Sequence, residues 1–405
     1  MTTLPLADLP AVRRADVYKA GRLAAHLTRT PEGVEFRYDP AYLAAGGVPV
    51  ATTLPLTNEP RVTPAGAVPP FFAGLLPEGR RLSALRRAVK TSADDELSLL
   101  LAVGADTIGD VQVVPDGVAP NAVEPAISVE TWDDVRFDEI LRQTTGIAID
   151  LVGLPGAQDK VSAAMIAVPV GSGATQAILK LDPPEHPRLV ANEAFFLEAA
   201  RHSGVPVVDA EPVHDRDGRE GLLVHRFDRV IGSDGAVTRL AVEDACQVLD
   251  RYPADKYAVT SEEAVGALTA VARAGPVAAR DLVRQLVFAY LSCNGDVHAK
   301  NLAVLCEPTG EWRVTPAYDL PCSYVYGDTT MALTIDGKRQ DDIGRDSFLA
   351  LGAAVGLPGR AVARVLDEQC AAVDGWIDEL DELPFDDHTL HKLRRAVAYR
   401  RDRLR

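Results

Sequence analysis

The chain has 405 residues, 47% of them hydrophobic and 25% charged, and a formal net charge of 42 − 58 = −16. That length allows two or three domains, and that mix predicts a large buried core rather than wholesale disorder. So much negative charge repels phosphate backbones and argues against a stand-alone DNA binder, although a local basic patch stays compatible with it. The five cysteines (Cys246, Cys293, Cys306, Cys322 and Cys370) form no CxxC pair and are odd in number. This speaks against a zinc site or a disulfide framework and suits a reducing cytoplasm. The eight histidines are scattered without an HxxxH pair. Met1 to Leu9 lack a basic segment followed by an apolar one, so no signal peptide is expected. No apolar run approaches the ~18 residues of a membrane span, so no membrane association is expected.

In chain order, Tyr18 to Leu23 reads as a strand entering a turn, and Phe36 to Asp39 as another short strand. Two apolar segments punctuated by Gly and Pro follow, Val68 to Leu76 and Leu97 to Val103, with a basic helical stretch, Arg80 to Lys90, between them. Pro115 to Pro125, rich in Pro, Gly, Asn and Ala, reads as a linker. Trp132 to Thr145 has helical character. Ala163–Pro169 and Ala177–Leu181, separated by Gly171-Ser172-Gly173, predict a β-hairpin. Asn192 to His202 predicts a helix ending at Gly204, and Gly221 to Phe227 a buried strand. Beyond residue 240 the chain reads as mainly helical, down to a basic last helix, Leu390 to Arg405. The expected fold class is therefore α+β: a small α+β subdomain over residues 1–120, a β-rich lobe over 121–235 and an α-rich lobe over 236–405.

Chemistry concentrates in Asn294-Gly295-Asp296-Val297-His298-Ala299-Lys300-Asn301. Asp296 and Asn301 stand five apart, the interval at which protein kinases place a catalytic Asp and a metal-binding Asn. A short loop lets one side chain reach the acceptor hydroxyl and the other a metal on the nucleotide. The competing reading is a polar turn closing a helix, since Asn, Gly and Asp are all turn formers. Tyr318-Asp319, 18 residues after Asn301, supplies a second Asp where kinases bind Mg²⁺, or merely caps a turn. Lys180 ends the apolar strand Gln176-Ala177-Ile178-Leu179, and Glu193 follows 13 residues later on a predicted helix. A strand Lys paired with a helix Glu orients nucleotide phosphates in kinases; otherwise Lys180 would snorkel to solvent. Gly153 to Lys160 is a glycine-containing loop able to cradle phosphates or simply to turn. Each signal is ambiguous alone, but together they stand in kinase order.

These residues resemble the HipA-like serine/threonine-protein kinase toxin family, from roughly Val17 to the C-terminal helices. Leu154 to Lys160 is similar to the family's Pro-Gly-x-Gln-x-Lys loop, and Asn192-Glu193 to the opening of its N-lobe helix. Arg226-Phe227-Asp228-Arg229 is similar to its hinge signature, and Asn294 to Asn301 to its catalytic loop. Pro316-Ala317-Tyr318-Asp319 resembles its metal-binding segment. Pro70-Phe71-Phe72 and Leu75-Leu76-Pro77-Glu78-Gly79 resemble the small domain before the kinase core. The resemblance implies a protein-kinase-like bilobal fold using ATP and Mg²⁺. Asp296 would be the catalytic base, and Asn301 and Asp319 would hold the metal. Pro155, Gly156, Ala157, Gln158, Asp159 and Lys160 would form the nucleotide loop, with Lys180 on the phosphates. His225, Arg226 and Phe227 would meet adenine largely through backbone, while His298, Ala299, Lys300 and Tyr318 would shape the phosphate site. It also implies a protein acceptor such as an aminoacyl-tRNA synthetase, a small helix-turn-helix antitoxin as partner, DNA contact only through that antitoxin, and a cytoplasmic setting.

One departure stands out. Gly153 occupies the position of the loop Ser that family members autophosphorylate; Thr144, Thr145 and Ser162 are nearby but do not match it. At the hinge, His225 stands where Glu is frequent. Two other readings therefore stay open on sequence alone: a non-catalytic binding subunit, and a small-molecule kinase with the same active-site logic.

Overall fold

The computed structural model describes residues 4–120, 128–129, 131–140, 166–172, 175–183, 185–232 and 235–405. Ala20 and Gly21 both take positive φ, 48° and 76°, a two-residue turn whose twist suits a hairpin. It joins β1 (Arg14–Lys19) to β2 (Arg22–Thr30), the strand and turn that the sequence predicts. With β3 (Gly33–Tyr38), β4 (Arg61–Pro64) and β5 (Val111–Pro115), they form an antiparallel sheet ordered β4-β3-β2-β1-β5. Helices α1 (Pro40–Ala44), α2 (Pro70–Ala73), α3 (Gly79–Val89) and α4 (Glu96–Val103) accompany it. Phe36, Phe72, Leu97, Leu100 and Val113 lie in this unit's own apolar core. Both apolar segments of the sequence thus contain short helices, and the basic stretch between them is α3.

The predicted hairpin is β7 (Ile166–Ser172) and β8 (Thr175–Leu181), pairing Ile166 with Leu181. β6 (Ser128–Val129) adds in parallel, and β9 (Ala210–His214) and β10 (Glu220–His225) complete the order β6-β7-β8-β10-β9. Helix α5 (Leu189–His202) begins three residues ahead of the predicted Asn192. The helix expected from Trp132 is a short 3-10 turn at Trp132–Asp134, then helix over 137–140; its remainder lies outside the described residues, as does the predicted linker from 121 onward.

The rest is mainly helical: α6 (Ala245–Val248), α7 (Ser261–Val271), α8 (Gly275–Leu291), α9 (Arg345–Ala354), α10 (Gly359–Ala372) and α11 (Asp387–Leu404). Two small sheets interrupt it, β11 (Arg229–Ile231) with β12 (Val237–Arg239), and β13 (Val242–Asp244) with β14 (Ala303–Cys306) and β15 (Trp312–Val314). From Gln285 to Leu291 α8 is buried on every face, as expected of a stretch that is apolar nearly all round. One continuous core runs from Phe196 of α5 through Leu286 and Phe288 of α8 to Val397 of α11, so the two lobes share it. This is the α+β, bilobal arrangement that the sequence predicts. No helix among the described residues is long and apolar enough to cross a membrane.

Buried charge ties the first sheet unit to the lobes. Asp228, 1% exposed, accepts from Gly109 N at 2.8 Å, Arg226 Nη2 at 2.9 Å and Arg229 Nη1 at 2.6 Å. Both arginines reach on to Asp106 Oδ1 (3.0 and 3.1 Å) and to the carbonyl of Thr107 (2.8 and 2.9 Å). Burial pushes the Asp228 carboxyl up, but Arg226, Arg229 and the Gly109 N–H outweigh it and hold it below the usual carboxylate range. A depressed folded-state pKa stabilises above the unfolded value of ~3.9 and ceases to do so as pH falls through the folded value. Removing one member of such a network leaves its partners uncompensated, at roughly 3–5 kcal/mol. Asp228→Ala is expected to cost about 3 kcal/mol at pH 7, read from urea unfolding, with the gap to the parent narrowing below about pH 4. A parent-like midpoint at pH 7 would contradict this.

Candidate active site

Lys180 is buried at the end of β8, where an unpaired ammonium would be costly. Its Nζ donates to Glu193 Oε1 at 2.6 Å and to Asp319 Oδ1. Burial works against the ammonium's charge, yet Asp319 and Glu193 together outweigh it and raise its pKa above the ordinary lysine value. Glu193, 1% exposed, is pushed up by burial and by the nearby Asp319, against the pull of Lys180. Next to it on α5, Asn192 donates to Cys322 O at 3.0 Å and accepts from Cys322 N at 2.8 Å. One helix therefore holds both the strand lysine and the segment that carries Asp319.

The Asn-Gly-Asp loop begins where α8 ends. Asn294 N donates back to Ala289 O at 2.9 Å, and Cys293 takes a left-handed φ of 55°. The buried Asn294 amide accepts from Asp296 N at 3.0 Å and donates to Asp319 O at 3.3 Å. Gly295 has no room for a side chain: a Cβ there would stand 2.2 Å from Thr330 O and 2.8 Å from Ser323 Oγ. Asp296 is 2% exposed and accepts a hydrogen bond from the Tyr257 hydroxyl at 3.1 Å. Asn301 Oδ1 accepts from His298 N at 3.2 Å, and its Nδ2 donates to Asp319 Oδ2 at 3.3 Å. Asp319 thus presents one oxygen to Lys180 and the other to Asn301. It does so at a φ of 54°, a conformation that Asp tolerates better than most residues.

The structure therefore gathers Lys180, Glu193, Asn301 and Asp319 into one hydrogen-bonded set, with Asp296 joined to it through Asn294. The remaining predicted residues sit around it. His298 packs edge-on against Tyr257, ring centroids 5.2 Å apart. Ala299 N donates to Lys256 O at 3.2 Å. The Lys300 ammonium faces the first sheet unit, donating to Gly74 O at 2.8 Å. Tyr318 donates to Lys300 O at 2.7 Å and stacks on Phe227 at 5.8 Å. At the hinge, the N–H groups of His225 and Arg226 donate to Asp209 O (2.8 Å) and Gln176 O (3.1 Å), and the Arg226 guanidinium belongs to the Asp228 network. Pro155 to Lys160, with Gly153, Thr144, Thr145 and Ser162, lie outside the described residues.

Sequence reasoning missed Tyr257, the role of Asn294, and the partners of Glu78, which pairs with Lys256 and Lys300. Glu78 sits in a recognisable tetrad, but nothing local names its partners. Tyr257 has no motif around it.

Replacing Lys180 leaves a buried carboxylate without its cation. Lys180→Met is expected to destabilise by roughly 3 kcal/mol at neutral pH. Lys180 pulls the Glu193 carboxyl down against burial, so without it that carboxyl rises further: its protonated folded form favours folding below the unfolded pKa of ~4.3, and the variant loses more of that advantage than the parent as pH rises. Thermal melts of parent and variant should therefore diverge as pH rises from about 5 to 7; a gap independent of pH would refute this.

Two family models match the chain: the HipA N-terminal domain over residues 15–114 and the HipA-like C-terminal domain over residues 152–377. Y4mE of Sinorhizobium fredii, provisionally named a kinase, is 30% identical over 96% of this chain and 98% of its own. The serine/threonine-protein kinase toxin HipA of Shewanella oneidensis is 27% identical over 79% of this chain and 77% of its own. A solved Shewanella oneidensis structure, HipA with HipB and operator DNA, superposes with a TM-score of 0.78 at 21% identity, covering 96% of this chain and 97% of that one. The likeness extends to the bilobal kinase-like fold with its preceding subdomain. With two domain models in register and a full-length relative at this identity, the chain belongs to the HipA-like family of kinases.

Proposed function

We propose that the chain is an ATP- and Mg²⁺-dependent serine/threonine protein kinase, the toxin of a toxin–antitoxin pair. The observation that carries this reading is the Asp319 carboxylate, which links Lys180 on one oxygen and Asn301 on the other, beside the loop of Asp296. Lys180, held by Glu193, would orient the nucleotide phosphates. Asp296 would accept a hydrogen bond from the acceptor Ser or Thr hydroxyl and take its proton as the Oγ–phosphorus bond forms and the bond to the leaving diphosphate oxygen breaks. The Tyr257 hydroxyl would fix the direction in which Asp296 points.

The residues at hand fit a magnesium ion. Asp319, with its side chain 33% exposed, offers the hard oxygen donors that Mg²⁺ prefers, and the Asn301 amide oxygen, which here accepts from His298 N, would join them once that amide turned. When bound, the ion would neutralise charge on the phosphates. Its holders would be Asn301 and Asp319.

The partner reading comes from the relative: the Shewanella HipA structure contains HipB and operator DNA. For this chain we carry over a small helix-turn-helix antitoxin, with DNA reached only through it, which suits a net charge of −16. A translation component such as an aminoacyl-tRNA synthetase is the proposed acceptor, in a cytoplasmic setting compatible with five free cysteines.

The test is incubation of the full chain with Mg²⁺, γ-labelled ATP and a cell lysate, beside Asp296→Asn. Label on a lysate protein is expected for the parent and should fall about 100-fold or more in the variant, with ATP binding retained because the Lys180 pair is untouched. Label that survives Asp296→Asn would remove Asp296 from its role; ATP bound with no label anywhere would favour a non-catalytic subunit.

A further inference from the structure

Two lysines, the buried Lys256 beside the catalytic loop and the largely covered Lys300 within it, have no part in the reaction just proposed. Both are held by one glutamate from the first sheet unit. Glu78 precedes α3; one carboxylate oxygen pairs with Lys256 Nζ, and the other stands 3.4 Å from Lys300 Nζ. Lys300 also donates to Gly74 O at 2.8 Å and stands 3.4 Å from Asp244 Oδ2. Burial works against the Lys300 charge, but Asp244 and Glu78 together raise its pKa above the ordinary value. Behind this cluster, Asp244 caps α6 by accepting from Gln247 N, and Gln247 Nε2 donates to Phe71 O at 2.9 Å.

Both lysines are joined directly to the loop. Lys300 lies between Ala299 and Asn301 in the chain. The Lys256 carbonyl accepts from Ala299 N at 3.2 Å, and its chain neighbour Tyr257 donates to Asp296 Oδ1 at 3.1 Å. The Lys256 ammonium also sits 5.1 Å from the centre of the Tyr257 ring. So Glu78 meets the loop from two sides, by a hydrogen bond to Lys256 on the side leading to Asp296 and by a longer ion-pair contact of 3.4 Å with Lys300 on the side leading to Asn301. Buried ion pairs are a poor way to gain stability, because desolvation offsets their attraction. Their fixed directions make them a good way to hold a geometry, and here the geometry held is that of the residues assigned to proton acceptance and metal binding.

We propose that Glu78 is a positioning residue for phosphoryl transfer: through Lys256 and Tyr257 it sets the orientation of Asp296, and through Lys300 it holds Asn301 beside Asp319. The first sheet unit thereby acts on kcat although it lies outside the two lobes. This inference rests on the kinase reading above.

The test compares full-length parent, Glu78→Ala, Glu78→Gln, Tyr257→Phe and the Glu78→Ala/Tyr257→Phe double variant, with Mg²⁺, γ-labelled ATP and the labelled lysate acceptor, below their melting temperatures. Glu78→Ala should lower kcat roughly 10- to 100-fold, the scale of a misplacement near 1 Å. Its KM for ATP should stay within about twofold, since the grip of Glu193 on Lys180 is intact. Glu78→Gln, which keeps an acceptor but not the charge, should fall between parent and Glu78→Ala. The double variant should lose less than the product of the single losses, because both changes act on Asp296 along one path. A parent-like kcat in Glu78→Ala, a rise in KM alone, or fully multiplicative losses would each overturn the proposal. If Glu78→Ala does not fold, the Gln and Phe variants and their combination decide the question by the same criteria. A parent that transfers no label sinks the kinase reading itself, and this inference with it; an active parent with an indifferent Glu78 sinks this inference alone.

Discussion

One buried ammonium between two carboxylates sets the constraint that the rest of the structure answers. Moving the Lys180 charge out of water costs several kcal/mol, and only close, well-directed anions offset that. Glu193 comes from helix α5 and Asp319 from the segment after β15, so a strand, a helix and a loop must meet at one point. The Asn192–Cys322 pair of hydrogen bonds reinforces the same meeting from the adjacent helix position. If α5 slid along the sheet, it would break both contacts and leave Glu193 buried without its cation.

The backbone around this point takes conformations that few residues accept. Asp319 and Cys293 both sit at positive φ, and Gly295 lies against Thr330 O where no side chain fits. Such strain persists only where the surroundings over-determine it. Here the surroundings are the buried end of α8 and the Asn294 amide, which accepts from Asp296 and donates to Asp319. Asn294 thus couples two loops that the sequence shows only as separate polar stretches.

What the sequence made legible was periodic or closely spaced. The β7–β8 hairpin shows in two apolar, β-prone runs on either side of Gly171-Ser172-Gly173, and α5 in its helical spacing before Gly204. Lys180 stood out because a lysine in an apolar strand needs an explanation, and Asp296 and Asn301 because their interval has a chemical reason. The pairings that hold the first sheet unit had no such mark. Arg226 and Asp106 are 120 residues apart, and Lys256 and Glu78 are 178 apart. No period or spacing rule links residues at that distance. Arg226-Phe227-Asp228-Arg229 was legible as a hinge signature, but its arginines are spent on docking the 106–109 loop, a role that only the folded chain reveals. Asp296 was legible as a candidate reactive group; Tyr257, which donates a hydrogen bond to it, was not.

The charge arithmetic of the site bears on how an anion would enter a chain of net charge −16. An ammonium has three N–H donors. Among the described residues, Lys180 gives one to Glu193 and one to Asp319, so a third remains for a phosphate oxygen without disturbing either. The two carboxylates differ in what they can release. Glu193 is buried and would pay heavily to lose its cation, whereas Asp319 is open enough to exchange partners with solvent or a bound cation. On the proposed reading, Glu193 is then the fixed anchor of Lys180 and Asp319 the exchangeable one. Whatever draws the Asp319 carboxylate away from the ammonium strengthens the hold of Lys180 on a phosphate. Nucleotide and cation affinity would therefore be linked through one side chain, and by thermodynamic reciprocity each would favour the other.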